Sequence, residues 1–138
     1  MGATVMAETA VKLENITKRF GQVCANTNVS MELYKGEILA LLGENGSGKT
    51  TLMNTLSGIY FPDEGKILIN GKEVVISSPH DAYMYGIGMI HQHFKLVDVF
   101  TAAENIVLGL KEEGRFDMKA VSRKVSEIAS KYGFEIDP

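Results

Sequence analysis

Apolar and polar positions alternate loosely along two early stretches, residues 11–16 and 29–33, as in strands with one buried and one solvated face. The pattern changes at Ile38, Leu39, Ala40, Leu41 and Leu42, which are apolar without a break. So short a continuous run, over residues 37–42, predicts a strand buried on both sides, inside a sheet covered by helices. Residues 43–48 break it, and a helix is expected over residues 49–57. Its apolar positions Leu52, Met53, Leu56 and Ile59 fall three or four apart, and Gly58 supplies a C-terminal stop.

Residues 66–69 and 72–76 flank Asn70-Gly71, a pair that tolerates the positive φ of a tight reversing turn, so a β-hairpin is predicted there. Ser78-Pro79-His80-Asp81 starts a short helix, with Ser as cap, Pro at the first helical position and Asp reaching back; the helix ends at Gly86. Residues 87–91 read as another strand. Thr101-Ala102-Ala103-Glu104 is a second capping box, opening a helix through about Leu108. Asp117 caps a last helix to Tyr132, with Met118, Val121, Val125, Ile128 and Tyr132 on one face and Gly133 closing it. No repeat or linker interrupts the order. Residues 1–8 read as a disordered or vector-derived start, and residues 9–138 as one α/β unit.

Composition narrows the classes. The 138 residues are 45% hydrophobic and 22% charged, enough for one domain with its own core. The net charge of -3 is scattered, so no basic block points to nucleic acid and no acidic tail to disorder. Cys24, the single cysteine, cannot form an internal disulfide; it is expected as a small buried apolar residue in a reducing compartment. The apolar runs are too short to span a bilayer, the N-terminus lacks a secretory pattern, and Met6 stands where myristoylation after Gly2 needs Ser or Thr. Any membrane link is expected to come through a partner.

The chemistry lies in Gly43-Glu44-Asn45-Gly46-Ser47-Gly48-Lys49-Thr50, which matches the phosphate-binding pattern G-x-x-x-x-G-K-[ST] between a strand and an amphipathic helix. Glycines let successive backbone N–H groups turn inward around phosphate oxygens. The helix N-terminus points its positive end at the same place. Lys49 adds a full charge, and the Thr50 hydroxyl can ligate Mg²⁺. The expected ligand is ATP with Mg²⁺. His91 and His93 stand two apart and could meet a metal, but no further ligands flank them, so solvated histidines are expected.

Residues 11–110 resemble the first half of the ATP-binding subunit of ABC transporters. The matches are residues 43–51, Asp63-Glu64-Gly65-Lys66-Ile67-Leu68-Ile69-Asn70-Gly71, and Gln92 after the strand at 87–91. The stretch from Gly88 through Gly109, with His91-Gln92-His93-Phe94, is similar to the first cassette of simple sugar and nucleoside importers, closer to the nucleoside branch. The resemblance implies a partial P-loop NTPase-like ABC ATPase core with an antiparallel β subdomain and helices packed on the sheet. It implies that Phe20 stacks on adenine, that Thr51 hydrogen-bonds the inner phosphates, and that Gln92 reaches Mg²⁺ and the attacking water. It also implies transmembrane permease subunits, a second ATP-binding cassette and, indirectly, a solute-binding protein as partners, on the cytoplasmic inner face of the membrane.

The resemblance further implies three elements that these residues lack: a strand ending in Asp-Glu, a Leu-Ser-Gly-Gly-Gln-like signature and a switch histidine. Without the general-base Glu, the chain is expected to bind nucleotide with little turnover. An edge left open beside residues 37–42 would favour self-association. A P-loop switch or small-molecule kinase, and a regulatory cassette without transport, remain alternatives; no Asn-Lys-x-Asp guanine motif supports the switch.

Overall fold

Two long strands, β1 (Thr9–Phe20) and β2 (Val23–Tyr34), fold back on each other around Gly21-Gln22. They contain the two alternating stretches read from the sequence and extend them at both ends. The computed structural model describes residues 8–91, 96–108 and 117–138. β3 (Glu64–Ile69) lies along the other side of β1, and β4 (Lys72–Val74) completes an antiparallel sheet in the order β2-β1-β3-β4. The Asn70-Gly71 hairpin forms as expected, with both turn residues at positive φ and Ile69 paired with Lys72. β4 stops before Ile76, which turns into the core instead. Glu8 already belongs to the sheet margin: its carbonyl accepts the Lys35 N–H at 2.9 Å and its carboxylate pairs with Lys35 at 2.7 Å.

Strand register explains the core. Leu13 pairs with Ile67 and Val11 with Ile69, so the inward positions of adjacent strands coincide. Leu13 and Ile16 are fully buried beneath Leu52 of α1 (Lys49–Leu56), Ile76, and Ala82 of α2 (Pro79–Met84). Each fully buried Leu or Ile contributes roughly 1.5–3 kcal/mol. On α1, Met53 and Leu56 are partly buried, whereas Ile59 stays exposed. Thr55 is buried in its place, its hydroxyl donating to the Thr51 carbonyl at 2.9 Å. The Ser78 hydroxyl caps α2 by accepting the Asp81 N–H, while the Asp81 carboxylate reaches back to Ser77.

β1 is not regular. Its pairing shifts between Leu13 and Ile16, where Asn15 adopts φ 54°, and again toward β3 between Glu14 and Thr17. Gly65 of β3 faces this bulge at φ 98°, where a Cβ would lie 2.5 Å from the Glu14 carbonyl oxygen and 2.6 Å from that of Asn15. The Asp63-Glu64-Gly65 segment thus has a mechanical reason for its glycine.

Two expected strands are not formed. Residues 37–42 and 87–91 carry no strand ladder, and Ile38 and Leu42 are 97% and 89% exposed. A strand of the buried parallel kind is held by neighbours on its edges, and among the described residues neither segment has one. The described residues fall into two compact units, one ending at Met89 and the other beginning at Ile90.

In the second unit, α3 (Ala102–Val107) and α4 (Met118–Lys131) begin as expected. Thr101 and Glu104 form a complete capping box, and Asp117 Oδ1 accepts the Lys119 and Ala120 N–H groups. The buried stripe of α4 runs through Val125 to Ala129, four residues on, leaving Ile128 and Tyr132 exposed. Ahead of α3, the Asn105 side chain accepts the Val97 N–H and donates to the carbonyls of Val97, Phe100 and Thr101.

Replacing Gly65 by Ala is expected to lower unfolding free energy by about 2–4 kcal/mol, combining a left-handed backbone with overpacking against β1. Urea unfolding monitored by circular dichroism measures it; a loss below about 1 kcal/mol would show that the bulge yields.

Candidate functional site

The glycine-rich segment between residue 42 and α1 curls around the side chain of Lys49. The Lys49 ammonium donates to the carbonyl oxygens of Gly43 (2.8 Å) and Glu44 (2.6 Å) and to Ser47 Oγ (3.2 Å). The Ser47 N–H returns to the Glu44 carbonyl at 3.3 Å, and Gly46 takes φ 83°. Gly48 is the N-cap residue of α1 at φ 87°, and no side chain caps the helix. The first-turn N–H groups of Lys49, Thr50 and Thr51 therefore have neither an intrahelical acceptor nor a capping one. Three oriented amides, the positive end of a helix and one ammonium converge at this turn, an arrangement suited to an anion.

β2 fixes the rear of the loop. A Cβ on Gly48 would run into the Ala25 carbonyl oxygen and would lie 2.6 Å from Asn26 Nδ2. Only glycine lets the two backbones approach this closely. Asn26 Nδ2 donates to the Gly48 carbonyl at 3.2 Å, and that carbonyl also accepts the Leu52 N–H at 2.9 Å. Asn26 is 6% exposed, and its Oδ1 is buried without a hydrogen-bond partner. Turning the amide over would set two oxygens against each other, so the orientation follows from the contact. A buried carbonyl left unsatisfied costs about 1–3 kcal/mol.

Phe20 stands at the same end of the sheet. It closes the β1–β2 hairpin opposite Val23, two residues beyond Lys18, which pairs with Asn26. Phe20 does not pack into the core; it is 44% exposed. The Tyr60 ring meets it edge to face at 5.0 Å, and the Lys18 ammonium lies 5.5 Å from its centroid. Asp63 clamps this strand end. Its carboxylate accepts the Arg19 N–H at 2.6 Å and Lys18 Nζ at 3.2 Å, while its own N–H donates to the Thr17 carbonyl. The Arg19 N–H first, then Lys18, hold the Asp63 carboxyl below its ordinary range. Arg19 also pairs with Glu64 at 2.7 Å.

The loop and Phe20 are thus brought to one end of the sheet, with the Thr50 side chain exposed at the first turn of α1. Gln92 and His93 lie outside the described residues; His91 is exposed. Among the described residues no group of three or more His, Cys, Asp or Glu side chains could hold a metal. The uncapped amides and Lys49 fit a polyphosphate, and a cation there would lean on Thr50 and on the phosphate oxygens themselves, the usual manner of Mg²⁺. Cys24 differs from expectation: it is exposed on the edge strand, its thiol against the Asn26 carbonyl (3.2 Å) and Thr27 Oγ1 (2.9 Å). Asn26, Tyr60 and the grip of Ser47 on Lys49 were not singled out from the sequence. A polar residue amid strand positions gives no sign of what it braces.

The sequence model of the ABC transporter family matches residues 26–137. The guanosine import ATP-binding protein NupO of Bacillus subtilis is 50% identical over 133 residues, covering 95% of this chain and 26% of that protein. The nucleoside import ATP-binding protein NupA of Lactococcus lactis matches with the same identity and coverage. The ribose import ATP-binding protein RbsA of Caldanaerobacter subterraneus is 44% identical, covering 94% of this chain and 27% of RbsA. The chain spans about a quarter of the length of these relatives. A dimeric bacterial ABC transporter cassette superposes with a TM-score of 0.73 at 27% identity, over 91% of this chain and 58% of its own. An ABC transporter ATP-binding cassette in its ADP conformation gives 0.73 at 29% identity, over 88% and 53%.

Because the Asp63 carboxyl is held below its ordinary value, its clamp is complete at neutral pH and is lost as pH falls through the lowered folded value, below about pH 4. The Asp63→Asn chain is expected to show a flatter loss of stability on that acid side. Urea midpoints across the acid range test it; identical pH slopes in both chains would remove the clamp.

Proposed function

The chain belongs to the ABC transporter family, and from that premise we propose that it is part of the ATP-binding subunit of an importer for a nucleoside or a simple sugar. One observation carries the proposal: the Lys49 ammonium, gripped by Gly43, Glu44 and Ser47, stands beside the uncapped amides of α1. In this function the main chain of residues 43–50 and the Lys49 ammonium hold the triphosphate of ATP, and Thr51 hydrogen-bonds the inner phosphates. Phe20 stacks on adenine with a ring that is already open to solvent at the right end of the sheet. Thr50 and Gln92 hold Mg²⁺, which offsets charge on the outer phosphates when bound.

The names of the relatives support the class of solute. Two import proteins for guanosine and for nucleosides stand at 50% identity, against 44% for the ribose protein. The nucleoside is therefore the favoured cargo. The whole subunit pairs with a second ATP-binding cassette and docks on transmembrane permease subunits at the cytoplasmic face, with a solute-binding protein acting indirectly. ATP binding and hydrolysis drive the uptake.

Calorimetry with magnesium present should give heat with ATP and ADP from the folded chain, and Lys49→Ala should abolish it. A folded native chain giving no heat would end the proposal. Phe20→Ala should weaken ATP binding by about 1–3 kcal/mol, the usual worth of one aromatic stack, and should leave pyrophosphate binding unchanged. An equal loss for both ligands would move Phe20 away from the base.

A further inference from the structure

Among the described residues Asn26 is the one β2 side chain hydrogen-bonded to the phosphate loop, and it is so at a disadvantage to the fold. It is buried, its Oδ1 has no partner, and the single bond it makes is from Nδ2 to the Gly48 carbonyl. An apolar residue of the same shape would remove the unsatisfied oxygen and fill the same space. Stability alone therefore gives no reason for an amide here. Placement does. Gly48 is the last residue before the first-turn amides of α1, and its carbonyl receives both Asn26 and the Leu52 N–H, so the amide ties the helix start to the sheet.

We infer that Asn26 is a positioning residue for the phosphate loop, holding Gly48 so that the amides of Lys49, Thr50 and Thr51 converge, at the expense of fold stability. The inference rests on the proposed nucleotide site. It reaches the base side too: Asn26 pairs with Lys18, which leans over Phe20 and is held by Asp63. Through that one pair of residues the phosphate end and the aromatic end share a strand register. Geometry at anion sites tolerates little displacement, because each amide must meet its oxygen at hydrogen-bond range.

The test compares the native chain with Asn26→Leu, which keeps the shape and drops both polar ends, and Asn26→Ala, which drops them without adding bulk. For Asn26→Leu the urea midpoint should equal or exceed the native value, while the Kd for Mg-ATP and for magnesium pyrophosphate rises together, by about five- to tenfold. Asn26→Ala should show the same rise in Kd with a lower midpoint. In both, hydrogen exchange of the Leu52 amide should quicken by about fivefold or more, with the Leu13 and Ile16 amides unchanged at matched stability. A merely structural role predicts affinity falling only as stability falls; that result, or native Kd and native Leu52 protection in either folded variant, overturns the inference. Should the native chain bind no nucleotide, the proposed function fails, and the Leu52 exchange still decides whether Asn26 holds the loop.

Discussion

Two backbones meet at Gly48, and most of what this chain can do follows from that meeting. The N-cap residue of α1 lies against the Ala25 carbonyl so closely that no Cβ fits between them. The sheet thereby sets where the helix begins, and the helix sets where its free amides point. Lys49 follows directly, and its ammonium is held by three oxygens of the loop itself. In the proposed function an anion would thus be met mainly by main chain and one cation, with Asn26 of β2 acting from behind.

The sheet has a second duty at the same end. The β1–β2 hairpin carries Phe20 outward, and Asp63 ties the last residues of β1 to the start of β3. The bulge at Asn15 bends β1 on the way, and Gly65 exists to let β3 follow the bend. Aromatic ring and phosphate loop are therefore spaced by one continuous strand pair rather than by separate loops.

Much of this was legible beforehand. Residues that act through their own backbone announce themselves: Asn70-Gly71 as a turn, Thr101 with Glu104 as a cap, Asp117 as a helix start, and the loop with its glycines and Lys49. Residues that act through distant partners do not. Nothing in the local sequence tells that Asn26 faces Gly48, that Tyr60 meets Phe20, or that Ala129 rather than Ile128 lies inward on α4. The run from Ile38 to Leu42 misled in a different way. Its composition suits a strand sheathed on both sides, but a ladder needs neighbours, and composition cannot supply them. Family membership and the likeness to ABC cassettes agree with the phosphate loop; they leave the exposed apolar run as a property of this stretch of chain.

Asn105 shows how far one amide can go. Its oxygen takes the Val97 N–H and its nitrogen serves three carbonyls, so both amide hydrogens, one of them shared, are spent inside the turn it closes. The turn keeps its form without borrowing from any strand. Leu96, Val99 and Phe100 beside it are exposed, so hydrocarbon is displayed on a turn that a single amide fastens from within.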